Sequence, residues 1–533
     1  MTRSTRFARS RQALSTRPWA AAAIVALAAI VPYLPSLDDY FVRDDFGVVE
    51  LLSQKPAWYF PRWFYTSWMD FIWGFTPDEI RPFPALSYQL TALGGPAWPV
   101  LHHALNILLH AGNALLVLAI ARSAATLGWP AATFAALVFV LLPVHTESVA
   151  WITGRVDSMP AFFYLAAFLA YVRWRDAGSA GWRWYGAALA LFFVALFTKQ
   201  NTITMVATLA AYDLVVKRTS LRRSLDLALS YAPFVAMTVG YLWLRYALFG
   251  QVAREGSLSA DALANFAGLV ERHLIHVVTG RFHGSPILLF AILAMLGAGA
   301  AVTRHKLREL AYFGPIWWLI GVAPVAVAGY SSPRHVYLAA VGWAIVLAIQ
   351  FDSLFAANAA PRRRRIAVGA AGVIIIFYVV LLQRSMRDWH AMAAVSQKAV
   401  HDAHAAAIAA PQGSLVVLGA PERSWAWAVP FAVRPPFAPT DVTDRVIIVT
   451  PRALTCCTPQ WLDDTRGALK RWSSGPRPDA VIALRWDERT GVLYRASSED
   501  MPQLAVLIRA LLDFGPPDEL DANLRRILGE LTH

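Results

Sequence analysis

The sequence predicts a multi-pass α-helical membrane protein that ends in a small water-soluble α/β domain. Three observations predict it. Of the 533 residues, 57% are apolar and 16% charged, against about 45–50% and about 25% in a soluble domain. The apolar residues fall in blocks long enough to cross a bilayer, which takes about 17–25 residues. Lys and Arg collect in alternate short loops between the blocks, the bias that orients helices in a membrane. The formal charge, 48 − 35 = +13, therefore speaks for topology rather than for nucleic acid. Disorder and collagen do not fit this composition. Cys456 and Cys457 are the only cysteines, so a disulfide scaffold is excluded, and neighbouring cysteines can hardly bridge without strain.

The apolar blocks lie near 18–37, 98–121, 129–146, 158–172, 184–198, 202–216, 226–249, 285–302, 310–328, 335–353 and 366–383, about eleven spans in all. The first follows a basic stretch, residues 1–17, and lacks a small-x-small cleavage site, so a retained helix is expected rather than a signal peptide. With residues 1–17 in the cytoplasm, the cytoplasmic loops hold Arg173/Arg175/Arg183, Lys217/Arg218/Arg222/Arg223, Arg304/Lys306/Arg308 and Arg362–Arg365. The opposite loops are acidic or mixed, the largest being 38–97. An odd number of spans places the C-terminal part outside.

From residue 384 to 533 the composition changes. Ser414–Leu418, Arg445–Thr450, Ala480–Leu484 and Val492–Arg495 read as short strands with helical stretches between them. A small α/β domain of about 130 residues is expected there. It carries no nucleotide loop and no metal motif.

Ionisable residues gather at helix ends on the outer side. The first loop opens with Asp38-Asp39 and then Phe41-Val42-Arg43-Asp44-Asp45-Phe46. Adjacent carboxylates suit general-base work, one holding a hydroxyl or a cation while the other takes its proton; the bland alternative is a solvated helix start. Neighbours on a regular backbone point apart, so only one of Asp44 and Asp45 can be the base. Asp45 is favoured because it lies farther from Arg43 along the chain. His103, Asn106 and His110 share one helix face and either pack helices together or shape a site. Arg155, Lys199 and Arg334 stand at outer helix ends, where snorkelling anchors run against the usual charge bias. Phosphate binding is the stronger reading, since arginine can hold a phosphate bidentately. His145 and Glu147 with His102 or His103 could hold a divalent metal, but no ligand-spacing motif supports it. Trp58, Trp63, Trp68 and Trp73 read as an amphipathic segment at the headgroup level, with sugar stacking as the alternative.

The series Asp44-Asp45, Arg81-Pro82-Phe83-x-x-Leu86-Ser87, His103-x-x-Asn106-x-x-x-His110, Pro143-x-His145-Thr146-Glu147, Gly154-Arg155-x-Asp157 and Arg334-x-x-Tyr337-Leu338 resembles the transmembrane and tetratricopeptide-repeat O-mannosyltransferases and their bacterial relatives. These are GT-C class glycosyltransferases that use polyprenyl-phosphate sugars. The likeness covers roughly residues 18–383 and implies a GT-C-like fold. It implies inverting sugar transfer from a polyprenyl-phosphate donor to a protein, glycan or lipid acceptor at the outer face of a bacterial cytoplasmic membrane. Asp44 or Asp45 would be the base, carried by loop 38–97, and Arg334 would hold the donor phosphate with Arg155 and Lys199. Arg81, His103, Asn106, His145, Glu147, Asp157 and Tyr337 would bind substrate or shape the site. Gln200 departs from the family, which has Glu after the lysine. The repeat array is absent and the α/β segment stands in its place, so a protein acceptor is not implied. A lipid-linked glycan ligase or polymerase, or a flippase of anionic or polyprenyl-linked substrates, would also use outer-face cations. A transporter usually shows paired repeats and midplane breaks, whereas here no repeat is seen and the ionisable residues cluster at one face.

Overall fold

The computed structural model describes residues 18–72, 76–219, 221–252, 260–280, 284–303, 308–327, 332–355, 360–425, 428, 431–449, 458–476 and 481–495. The expectations for Trp73, Arg304, Lys306, Cys456 and Cys457 lie outside them. The helices are α1 Pro18–Ile30, α2 Asp45–Ser53, α3 Pro82–Ala92, α4 Pro99–Ser123, α5 Trp129–Leu141, α6 Thr146–Val149, α7 Arg155–Ala177, α8 Trp182–Leu196, α9 Met205–Ala211, α10 Leu221–Phe249, α11 Ala260–Thr279, α12 Pro286–Val302, α13 Arg308–Val327, α14 Ala340–Phe355, α15 Pro361–Ala409, α16 Glu422–Trp425 and α17 Thr458–Ser473.

All eleven apolar blocks fall on helix. Their number as membrane spans is another matter. Among the described residues four helices are long and apolar enough to cross a bilayer, Pro18–Asp38, Pro99–Ser123, Leu227–Phe249 and Pro361–Ala409. A fifth follows if Trp129–Leu141 and Pro143–Val149, bent by 50°, form one broken span. Shorter apolar helices occur at Trp182–Leu196, Pro286–Gly297, Ala311–Val325 and Ala340–Phe355. Between the apolar blocks 226–249 and 285–302 lies a helix, α11, that the blocks did not signal, because its sequence is amphipathic rather than continuously apolar.

The chain forms two compact units. The first comprises Met1–Pro35, Ile80–Pro84 and His103–Arg387; the second comprises Ser36–Glu79, Ala85–His102 and Asp388–His533. Within the first, α7 packs along α8 and α13 along α14. The α13–α14 approach is close because both helices carry glycine at the contact: a Cβ on Gly342 would lie 2.3 Å from the Gly314 carbonyl oxygen.

The second unit contains the sheet, in the order β2-β1-β3-β4. Strands β1 Leu415–Gly419, β2 Val446–Val449 and β3 Val481–Asp487 run parallel, with Val416 beside Val446 and Ile482; β4 Val492–Arg495 pairs antiparallel to β3. Each strand lies within three residues of its sequence-based bounds. The buried run of β1 is continuous from Leu415 to Leu418, as a central parallel strand covered on both faces requires. The second unit also holds α2 and the aromatic turn of the first loop. There Trp63 and Trp68 are buried while Trp58 is 65% exposed. Two of these indoles thus serve as core, and Trp68 donates from Nε1 to Glu79 Oε2 at 2.8 Å.

Candidate active site

The cluster in the first unit grows from a chain reversal between α5 and α7. After Leu141 the chain turns at Pro143–His145, passes through α6 and folds back to start α7 at Arg155. Gly154 is required at the fold-back, where a Cβ would stand 2.1 Å from the Glu147 carbonyl oxygen. From α4, Asn106 pins the reversal. Its amide Nδ2 donates to the carbonyls of Val149, Trp151 and Ile152 at 3.3, 2.9 and 3.2 Å. Its Oδ1 accepts from Arg155 Nε at 3.0 Å. Both side chains are fully buried, so Arg155 is built into the scaffold of the reversal.

Arg334 sits on the 3₁₀ turn Pro333–Val336. Glu147 holds this turn with both carboxylate oxygens. Oε1 accepts from Arg334 Nη1 at 3.1 Å, and Oε2 accepts from the Arg334 backbone N–H at 3.1 Å and from Ser332 Oγ at 2.6 Å. The guanidinium lies over the Trp151 ring at 4.9 Å and pairs through Nε with Asp157 Oδ2 at 3.2 Å. Lys199 pairs with the other oxygen of the same carboxylate. Two cations from chain segments 135 residues apart (334 − 199) thus share Asp157. Burial pushes the Lys199 ammonium below the ordinary lysine range; Asp157 pulls it back up, and Arg81 and Arg334 push it down again. Arg81 is buried as well and is close enough to act on Lys199 electrostatically.

Behind this cluster lies a hydrogen-bonded core. Tyr337 OH meets His110 Nδ1 at 2.7 Å and accepts from Asn113 Nδ2 at 3.1 Å, while His110 Nε2 meets the Val140 carbonyl at 3.2 Å. His145 is fully buried with its ring centroid 4.3 Å from that of Tyr337 and 4.5 Å from that of Phe139. His103 is buried on the same helix as Asn106. Among the described residues no three His, Cys, Asp or Glu side chains come together as a metal ion would need.

The acid pair belongs to the second unit. Asp44 is the N-cap residue of α2 and Asp45 its first residue. Asp45 is 1% exposed and its Oδ2 accepts from the Val42 backbone N–H at 3.1 Å. That bond closes the turn preceding the helix. Asp44 is only partly buried. Arg43, in the left-handed region at φ 54°, sends Nε to the Arg423 carbonyl at 3.1 Å and lies over Trp389 at 5.5 Å. Arg43 thus turns toward another segment, rather than toward Asp44 Oδ or Asp45 Oδ, through its Nε.

Two contacts of this unit, one ion pair and one histidine–carboxylate hydrogen bond, were not legible in the sequence. Glu50 on α2 accepts from Arg434 Nε at 2.9 and 3.1 Å and pairs with its Nη2 at 2.9 Å. Asp39 meets His390 Nδ1 at 2.7 Å. A single acid inside the apolar run Phe46-Gly47-Val48-Val49-Glu50-Leu51-Leu52 was the available signal for the first.

No family model matches the chain. It is 30% identical over 222 residues to the human Protein O-mannosyl-transferase TMTC4, which covers 37% of this chain and 30% of that protein. It is 34% identical over 199 residues to Protein O-mannosyl-transferase Tmtc2 of Drosophila melanogaster, covering 35% and 21%. The chain thus spans less than a third of the length of these relatives. Crystal structures of ArnT from Cupriavidus metallidurans align over 88% of this chain and 93% of that one. The form bound to undecaprenyl phosphate gives a TM-score of 0.51 at 16% identity, and the apo form gives 0.50 at 17%. The fold is therefore the GT-C-like membrane fold implied by the motifs, the protein is an integral membrane protein, and the chain resembles the O-mannosyltransferases in sequence.

Proposed function

We propose that the protein is a glycosyltransferase that moves a sugar from a polyprenyl-phosphate donor to an acceptor hydroxyl, with inversion, at the extracytoplasmic face of a bacterial inner membrane. The observation that carries the reading is the convergence of Arg334 and Lys199 on Asp157. Two cations held over one carboxylate, Lys199 buried and Arg334 half-buried, suit a phosphate, which can enter between them as the acid is partly displaced. Glu147 fixes the backbone and side chain of Arg334 in advance, so little reorganisation is needed when charge develops on the leaving oxygen. The O-mannosyl-transferase relatives and the undecaprenyl phosphate bound to ArnT support the donor class. An apolar cavity of about 590 Å³ lined by Leu274, Leu293, Trp318, Trp343 and Ile349 suits part of a prenyl chain.

The reaction is a single displacement. The acceptor oxygen forms a bond to the anomeric carbon as the bond from that carbon to the phosphate oxygen breaks. The acceptor proton passes to a carboxylate, and the polyprenyl phosphate leaves with the bonding pair, stabilised by Arg334 and Lys199. We assign the base to Asp44, the more exposed acid of the pair. The outer-face orientation rests on the alternating basic loops. The test is incubation of the purified full chain in nanodiscs with a panel of undecaprenyl-phosphate hexoses and pentoses, following free undecaprenyl phosphate by mass spectrometry. Acceptor-dependent release from one donor supports the reading. Absence of release from every donor, with acceptors drawn from cell-envelope protein, glycan and lipid fractions, would defeat it.

A further inference from the structure

At β1 the sheet changes direction: the chain leaves β1 for β2 on one side and returns to β3 on the other. Beyond the carboxyl ends of strands at such a point, α/β sheets hold their ligands. In this protein the segment leaving β1 grips the helix that carries the acid pair. The Arg43 N–H donates to the Ser424 carbonyl at 2.8 Å, and Arg43 Nε donates to the Arg423 carbonyl. Phe46 packs edge-on against Phe437 at 4.8 Å and against Trp425 at 6.4 Å. Trp425 Nε1 donates to Ser396 Oγ at 3.1 Å, and that hydroxyl donates to the Phe41 carbonyl at 2.6 Å. Gly47 is needed at the contact, since a Cβ there would lie 2.8 Å from the Phe431 ring. Further along α2, Glu50 meets the guanidinium fork of Arg434, which rests over the Phe431 ring at 4.7 Å.

We propose that the C-terminal domain is the positioning element of the acid pair, with Glu50 and Arg434 as its positioning residues. The proposal rests on the reading of Asp44 as the base. Asp44 occupies the N-cap position of α2, so any rotation or slide of this two-turn helix displaces its carboxylate from the acceptor. A helix of nine residues has little stability of its own, and its orientation depends on what it packs against. Aromatic rings exclude water from one side of α2. The Glu50–Arg434 pair fixes its rotation, because a bidentate carboxylate contact is satisfied in one geometry. The domain thereby has a role in the reaction without contacting substrate.

Arg434→Ala, Arg434→Lys and Glu50→Gln in the full chain, in nanodiscs, test this by two readouts. Hydrogen exchange over residues 39–53 should rise at least tenfold in Arg434→Ala, and less in Arg434→Lys, whose point charge cannot reproduce the fork. Exchange in α7 and α14 should not change. Turnover with the donor should fall about tenfold to a hundredfold in kcat with donor KM nearly constant, as expected for a displaced catalytic group. Unchanged exchange over 39–53 in Arg434→Ala overturns the clasp. Faster exchange with wild-type kcat overturns the positioning role. If the wild-type protein transfers no sugar at all, the functional reading fails, and the exchange result still decides the clasp.

Discussion

Asp44 and Asp45 differ in what each can give up. The Asp45 carboxylate closes a turn through Val42, and Asn keeps an acceptor oxygen there. Asp45→Asn should therefore cost only about 1 kcal/mol of local stability and reduce turnover modestly. Asp44→Asn keeps shape but removes proton affinity, and turnover should fall about 10²–10⁴-fold with donor binding intact. Steady-state kinetics on both variants checks this, and the reverse ranking would return the base to Asp45. Lys199 offers a pH test. Its ammonium is lowered chiefly by burial, so the proton needed to hold phosphate leaves at a pH below the ordinary lysine range. Donor affinity should fall as pH rises through that value. Lys199→Arg, which stays protonated throughout, should move the alkaline limb upward; an unmoved limb would show that another group sets it.

At the scale of elements, the reversal between α5 and α7 and the turn at 333–336 act as one unit, joined by Glu147. Glu147→Gln leaves one oxygen as an acceptor but replaces the other with a donor facing Ser332 or Arg334. A partner lost from a charge-assisted bond costs about 1.5–3 kcal/mol, so donor KM should rise about tenfold to a hundredfold. Arg334→Ala should produce a similar rise, and the double variant should cost less than the product of the two, because each removes the same contact. Strict additivity in the double-mutant cycle would separate Glu147 from Arg334. These partners are 187 residues apart, which explains what the sequence could and could not reveal. Helix α4 and strand β1 were legible because hydropathy and β-branching are local signals. Arg155, Lys199 and Arg334 were legible as cations suited to phosphate, and Glu147 and Asp157 as residues that would shape a site. Their pairing was not, since Asn106 holding Arg155 and Asp157 bridging two cations depend on tertiary folding. The Glu50–Arg434 pair, 384 residues apart, was hidden for the same reason.

At the scale of the whole molecule, the fold is shared with ArnT, and orientation and donor are each open to direct measurement. Trp58 is exposed in the first loop, so Trp58→Cys in a background of Cys456→Ser and Cys457→Ser should react with an impermeant thiol reagent in spheroplasts. Labelling only after lysis would invert the topology. The proposed sugar transfer turns on Arg334 and Lys199 holding the donor phosphate. The direct measurement is binding of undecaprenyl phosphate to the purified chain in nanodiscs by native mass spectrometry, comparing wild type with Arg334→Ala and Lys199→Ala. Saturable binding that weakens about tenfold or more in each variant, with a phosphate-free prenol binding all three equally, is the expected result. Equal binding of undecaprenyl phosphate by all three would contradict the account.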